Sequence, residues 1–402
     1  MPFRTAIAGL RAATTDLNVI ANNVSNGNTT GFKKSRTEFS DVYAVANGAS
    51  GKAVGSGVDV QRVAQQFSQG NIAFTDNGLD LGISGEGFFI VDDNGARSFT
   101  RAGAFGVNKD GYVVNGHNQR LVAFEADDAG NITGALSPLQ VPAGNIEPRP
   151  SSLVNLNLNL DSSKTPPPVA FDPTDATSYN NSTSTTIYDS LGTSHLATVY
   201  YVKTAAANTW NSYTYVDGAA VSGPDALTFS GTGQLAVPAT GRITLPAFTP
   251  AGGAGAMNVD LDYGTSTQYG SAFSVHNITQ DGFTTGELAG LDIDKTGIVS
   301  ERFSNGQTKI IGQVAVAKFQ NQQGLRPIGE SNWDETVDSG TAIATAPGTS
   351  GVGLVQAGAL EESNVDMAEE LVKMIVAQRN FQANTEVIRT ADTVTQSIIN
   401  IR

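Results

Sequence analysis

The fold class this sequence predicts is mainly β with α-helical coiled-coil termini. The β part reads as nested discontinuous domains, one inserted into the other, and the N- and C-terminal helices read as paired. Three patterns carry the expectation: seven-residue apolar repeats at both chain ends, period-two alternation through the interior, and proline clusters that bracket one interior stretch.

At the N-terminus, Phe3, Leu10, Leu17 and Val24 stand seven apart, with Ala6, Ala13 and Ile20 three residues after the first three. Such spacing suits one helix packed along another. Asn22, Asn23, Asn26 and Gly27 then stop it, because Asn and Gly accept the left-handed conformation that ends helices. At the C-terminus, Met367, Met374, Phe381 and Ile388 repeat the spacing, with Leu371, Ile375, Ile398 and Ile399 beside or beyond the stripe. Ser363 followed by Asp366 predicts a capping box with Asp in the place of Glu or Gln. Residues 364–400 contain neither proline nor glycine, and acidic residues crowd the start while arginines lie later, the order a helix dipole favours. Either helix alone is marginal in water. The prediction is therefore that Phe3, Leu10, Leu17, Ile20 and Val24, with Met367, Leu371, Met374, Ile375, Phe381 and Ile388, drive pairing and self-assembly with other copies of the chain.

Between the ends the period is two. Residues 153–160, LVNLNLNL, place Leu156, Leu158 and Leu160 on one face and Asn155, Asn157 and Asn159 on the other. Residues 88–91 and 98–101 flank a turn at Asp93, Asn94 and Gly95, and a second turn at 109–111 precedes 112–115. Residues 183–188 and 195–203 flank a turn at 189–192, with 209–216 following, and 310–319 reads as one further strand. Pro142, Pro148, Pro150 and the triplet 166–168 mark a seam, which gives four parts: a terminal helical domain (1–30 with 363–402), a linker region (31–70 with 340–362), an inner β domain (71–145 with 285–339) and an inserted outer β domain (146–284).

The composition excludes more than it suggests. The 402 residues include no cysteine and three histidines and carry a net charge of −14, so thiolate metal sites, disulfides and cysteine nucleophiles are absent. The acidic balance argues against nucleic acid as a partner; only residues 1–40 are basic, at +3, through Arg4, Arg11, Lys33, Lys34 and Arg36. No apolar run approaches the length of a membrane span, and no apolar segment follows the first residues, so a cleaved secretory signal is not expected. Phosphate-loop and nucleophile-elbow motifs are missing, and Gly55-Ser56-Gly57 lacks the third glycine of a dinucleotide fingerprint, with Val60 in its place. His117, His195 and His276 have no metal-ligand spacing. Ser194 and His195 point to opposite faces of a strand and cannot act as nucleophile and base. Asp292, Asp294 and Gly297 begin like a calcium loop, but Phe303 stands where the bidentate Glu belongs, and a β-turn is expected. No catalytic, cofactor-binding or metal residues, and no small-molecule substrate, are predicted. An extracellular all-β carbohydrate-active enzyme needs two placed carboxylates, which no constellation here supplies.

The segment 21–33, ANNVSNGNTTGFK, resembles the N-terminal signature of the bacterial flagellar rod and hook family through Ala21, Asn22, Asn23, Asn26, Thr29, Gly31, Phe32 and Lys33. Residues 359–366, ALEESNVD, with Ser363, Asn364, Val365 and Asp366, followed by Gln378 and Arg379, resemble the C-terminal one. Gly85-Glu86-Gly87-Phe88-Phe89 and Thr100-Arg101-Ala102-Gly103-Ala104-Phe105 are similar to the shared β domain. Length and the insert favour the hook branch. The resemblance implies a structural subunit that polymerises into a curved helical tube, the flexible universal joint between motor and filament. It implies contact with rod, hook-cap and hook–filament junction proteins, and a place in the extracellular hook. It also implies passage through the flagellar type III export apparatus, for which Phe39 and Tyr43 are the candidate recognition pair. The alternative within the family is a distal-rod or junction subunit.

Overall fold

The alternation at 153–160 builds the central strand of a β-sandwich. The computed structural model describes residues 2–42, 55–142 and 144–400, and the chain divides into two units, 144–289 with 303–307 and the remainder. In the first of these, Leu153–Asp161 pairs in parallel with Asp260–Asp262 and Thr267–Tyr269 and antiparallel with Ser274–Gln280. A second sheet is a meander of Asn181–Tyr188, Ser194–Lys203, Thr209–Val216, Ala219–Phe229 and Leu235–Val237. Alternate residues of the two sheets meet in one core: Leu156, Leu158, Leu160, Leu261 and Tyr263 pack with Ile187, Val199, Tyr201, Trp210, Leu227 and Phe229. Each fully buried large apolar side chain stabilises the unit by about 1.5–3 kcal/mol. Trp210 lies wholly inside and its Nε1 donates to Gln268 Oε1 at 3.1 Å, which satisfies the one polar atom of the indole.

Asn159 departs from the alternation. Predicted to face outward with Asn155 and Asn157, it is buried. Its amide does the work of a missing backbone partner: Nδ2 donates to the Ser271 carbonyl at 3.0 Å, and Oδ1 accepts from the Tyr269 N–H at 2.9 Å and the Thr267 hydroxyl at 3.1 Å. A leucine there could make none of these bonds.

In the other unit the expected hairpin is formed by Phe88–Asp93 and Ala96–Thr100. Asn94 and Gly95 both have positive φ, 53° and 99°, as a two-residue turn matched to strand twist requires. Phe88 and Ile90 enter one core with Phe99, Phe319 and Trp333, while Phe89 and Val91 enter another with Leu121, Val314 and Val316. Burial on both faces explains why this strand reads as an unbroken apolar run. The stretch 310–319 is not one strand, as the sequence suggests, but two. Thr308–Val314 pairs with Arg120–Ala126. Val316–Lys318 then pairs with Phe88–Asp93 on one side and Ile343–Thr345 on the other. The chain changes neighbours at Ala315, a step that apolar periodicity does not register. Short ribbons join Ile72–Phe74 to Ala359–Glu361 and Leu81–Ser84 to Leu354–Ala357. Gly103 lies beside the second ribbon, and any Cβ there would stand 1.7 Å from the Leu81 carbonyl oxygen. The turn at 294–297 forms as expected, with the Gly297 N–H donating to the Asp294 carbonyl at 2.9 Å.

Two helices complete this unit, α1 at Pro2–Ser25 and α2 at Met367–Asn400. The capping residue of α2 is Asp366, not Ser363: Asp366 Oδ1 accepts from the N–H groups of Ala368 and Glu369 at 2.9 and 3.1 Å. Ser363 is buried and accepts from the Val365 N–H at 3.4 Å, one turn too early to cap.

The sequence holds two tryptophans, Trp210 in one unit and Trp333 in the other. In a Trp333→Phe background, Trp210 fluorescence during urea unfolding therefore follows the sandwich alone. Asn159→Ala is expected to lower its unfolding free energy by about 1–3 kcal/mol, and an unchanged midpoint would show that the Asn159 bonds are dispensable.

Candidate assembly site

α1 and α2 run antiparallel, with residue numbers of facing positions summing to a nearly constant value. Gly27 faces the Met367 side chain, Asn23 Nδ2 donates to Glu370 Oε2 at 3.0 Å, and Gly9 faces Asn384, whose Oδ1 would lie 2.4 Å from any Cβ at position 9. On this register Pro2 stands opposite residue 391, so α2 continues about nine residues, roughly 13 Å, beyond the start of α1.

The buried positions are Ala6, Ala12, Ala13, Ile20 and Asn23 on α1 and Glu370 and Ala377 on α2; Ala6, Ala13 and Ile20 are the set that follows the leading apolar residues by three. The leading apolar residues flank this seam instead of filling it. Leu10, Leu17, Val24, Met374, Phe381 and Ile388 are half-buried, and Phe3, Met367, Leu371 and Ile375 are exposed. Val372, Val376, Val387, Val394 and Ile399 are exposed as well. The seam is thus built on small residues and directed polar bonds, and most of the apolar surface of α2 has no partner among the described residues. Phe3 sits at the open end of the pair, in a groove with Ala383, Val387, Ala391 and Val394.

Below the helices the signature residues form a network. Asn23 is buried and clasps Ser35, its Nδ2 donating to the Ser35 carbonyl at 2.8 Å and its Oδ1 accepting from the Ser35 N–H at 2.9 Å. Asn364 does the same across the chain, accepting from the Lys34 N–H at 2.7 Å and donating to the carbonyls of Gln66 and Ser68 at 2.7 and 3.0 Å. Lys33, Arg101 and Glu361 are all buried. Glu361 Oε1 accepts from Lys33 Nζ at 2.5 Å and from the Gly70 N–H at 2.8 Å, while Oε2 accepts from Arg101 Nη1 at 2.9 Å. Lys33 also donates to the Ser68 carbonyl and Arg101 to the Gly85 carbonyl. Burial pulls both cations below their ordinary pKa values, and the Glu361 carboxylate opposes that pull.

Gly31, at φ 69°, donates its N–H to the Glu361 carbonyl at 2.8 Å. Asn26 donates to the Asn22 carbonyl and accepts from Thr29; Phe32 and Val365 are half-buried. Ala21, Gln378 and Arg379 are exposed and lie outside the network. Phe39 is exposed on the strand Ser35–Asp41; Tyr43 lies outside the described residues. Sequence reasoning placed Arg101 and Glu361 in family-like segments and Glu361 and Glu370 among the acidic residues favoured at a helix start, but gave none of them, nor Gly9, a bonding partner. The available signal was charge inside motifs otherwise apolar or small, as in Thr100-Arg101-Ala102-Gly103. Among the described residues no group of three His, Cys, Asp or Glu side chains is placed to hold a metal ion, and no helix is long and apolar enough to cross a membrane.

Residues 3–33 match the family described as flagella basal body rod protein, and 356–401 the flagellar basal body rod FlgEFG protein C-terminal family. Residues 82–155 match the flagellar hook protein FlgE/F/G D1 domain, and 157–283 the flagellar basal body protein FlaE D2 domain. Flagellar hook protein FlgE of Escherichia coli is 35% identical over 411 residues, covering all of both chains. The chain belongs to the flagellar hook protein family. Other hook proteins agree: that of Salmonella typhimurium is 36% identical over 417 residues, covering all of both chains. That of Treponema pallidum is 30% identical over 459, covering 99% of this chain and 98% of its own. The crystal structure of Helicobacter pylori flagellar hook protein FlgE2 shares the fold, with a TM-score of 0.55 over 72% of this chain and all of that one, at 16% identity.

In this member of the hook protein family, Glu361→Gln is expected to destabilise the unit carrying the helices by about 3–5 kcal/mol, because it leaves two buried cations uncompensated. Urea unfolding followed by Trp333 fluorescence in a Trp210→Phe background measures it, and a loss below about 1 kcal/mol would show that solvent reaches the network.

Proposed function

We propose that this chain is a structural subunit of the bacterial flagellar hook, assembling with copies of itself into a curved helical tube that transmits torque as a flexible joint. The observation that carries the reading is the pair of terminal helices whose mutual seam is built on small residues and directed polar bonds while Leu371, Val372, Ile375 and Val376 are exposed on α2. Contiguous apolar surface of this kind marks an interaction site. A contact that joins different faces of successive copies does not close, so assembly grows into a helix. In this reading Phe3, Leu10, Leu17, Val24, Met367, Leu371, Met374, Ile375, Phe381 and Ile388 supply the contacts among neighbours, while Ile20, buried in the seam, supports pairing within the chain. The division into a helical end domain, linker, inner β domain and inserted β domain supplies the hinges. The tube lies outside the cell with rod, hook-cap and junction proteins as partners, the subunit reaches it through the flagellar type III export apparatus, and no catalysis is involved.

Deleting residues 363–402 is expected to leave the sandwich folded and abolish tube formation under electron microscopy. The milder pair Leu371→Asp with Ile375→Asp, both at exposed positions, is expected to leave circular dichroism unchanged and prevent tubes. Tubes of ordinary length from either protein would overturn the reading, and polymers of the wild-type chain that stop at a small copy number would favour a rod or junction subunit instead.

A further inference from the structure

His195, the residue set aside above as neither nucleophilic base nor metal ligand, is buried near the start of Ser194–Lys203 with a carboxylate on each ring nitrogen. Nδ1 lies 2.6 Å from Asp217 Oδ2 and Nε2 lies 3.2 Å from Asp189 Oδ2. The two aspartates come from separate turns. Asp189 opens the turn that leads into Ser194–Lys203, and Asp217 is at the tip between Thr209–Val216 and Ala219–Phe229, in the left-handed conformation at φ 49°. Their remaining oxygens are engaged: Asp189 Oδ1 accepts from the N–H groups of Leu191 and Thr193, both at 2.8 Å, and Asp217 Oδ1 accepts from the Leu196 N–H at 2.8 Å.

Ionised carboxylates only accept hydrogen bonds, and a neutral imidazole offers one donor and one lone pair. With acceptors on both sides, a neutral ring would turn its lone pair against a carboxylate. We propose that His195 is held as an imidazolium at neutral pH and serves as a pH-operated pin between the two turns, released as the ring loses its proton on the alkaline side.

The electrostatics agree with the geometry. Burial works against the cation, but the bonds to Asp217 and Asp189 outweigh it and raise His195 above its ordinary 6.5. Asp189, despite its burial, and Asp217, chiefly through its bond to the ring, are both held below the usual carboxylate range. They are the charged groups set against the ring. The sign follows from linkage. A raised histidine contributes fully below about pH 6.5 and loses that contribution as pH rises through its folded value. The depressed aspartates contribute above their unfolded value and lose it only in acid. The pin is therefore strongest between roughly pH 4 and 6.5 and fails on the alkaline side.

With three histidines in the sequence, the full-length chain labelled with nitrogen-15 in histidine gives a simple spectrum, and His195→Gln assigns the resonance. Both ring nitrogens of His195 are expected to be protonated at pH 7. The melting-temperature gap between wild type and His195→Gln is expected to shrink from pH 6 to pH 9. A single neutral tautomer at pH 7, or a gap independent of pH, overturns the proposal. If His195→Gln does not fold, Asp217→Asn, at a half-exposed carboxylate, is expected to lower the His195 titration by about 1–3 pH units, and an unmoved titration overturns it equally.

Discussion

The carboxylate of Glu361 is the constraint on which the rest of its unit depends. Three charged side chains, Lys33, Arg101 and Glu361, are removed from water together. Placing an ion in the interior costs several kcal/mol, and that cost is offset only where opposite charge and hydrogen bonds meet it with good geometry. Here both carboxylate oxygens and the Gly70 N–H are committed, and the Ser68 and Gly85 carbonyls each take one further proton of the cations. Segments far apart in sequence are thereby set at fixed distances: the loop after α1, the segment near 70, the end of the hairpin at 101 and the approach to α2.

That fixed base explains the character of the helix pair above it. Because Asn23, Ser35, Lys34 and Asn364 already hold the helix ends, the seam needs little apolar area of its own. Gly9 lets Asn384 approach, and Asn23 meets Glu370, so polar bonds with directional demands select one register. The larger apolar residues are freed from intramolecular duty and remain available at the surface. A helix pair closed by leucines would have been more stable alone and less suited to assembly.

Much of this architecture was legible in the sequence, and the exceptions share a cause. Period-two runs such as 153–160 and the Asn94-Gly95 turn are local signals, so strand and hairpin followed from them directly. The split at Ala315, the inward turn of Asn159 and the capping by Asp366 depend on which neighbour a backbone group meets, and spacing carries no such information. The heptads were correct as helices, but spacing alone could not say which of the two apolar sets would face the partner. Lys33, counted in the sequence as part of a weak basic arm, is buried because its partner lies 328 residues away.

That separation has a consequence for the order in which the molecule completes itself. A chain that has not yet supplied residue 361 holds two cations with no reason to leave water, so the loop at 31–33 and the strand end at 101 stay hydrated and unjoined. Closure of the base thus acts as a test of completeness: only a chain carrying both its first thirty-three and its last forty-two residues can set its helices side by side, and a fragment cut short presents no properly aimed end to a growing polymer.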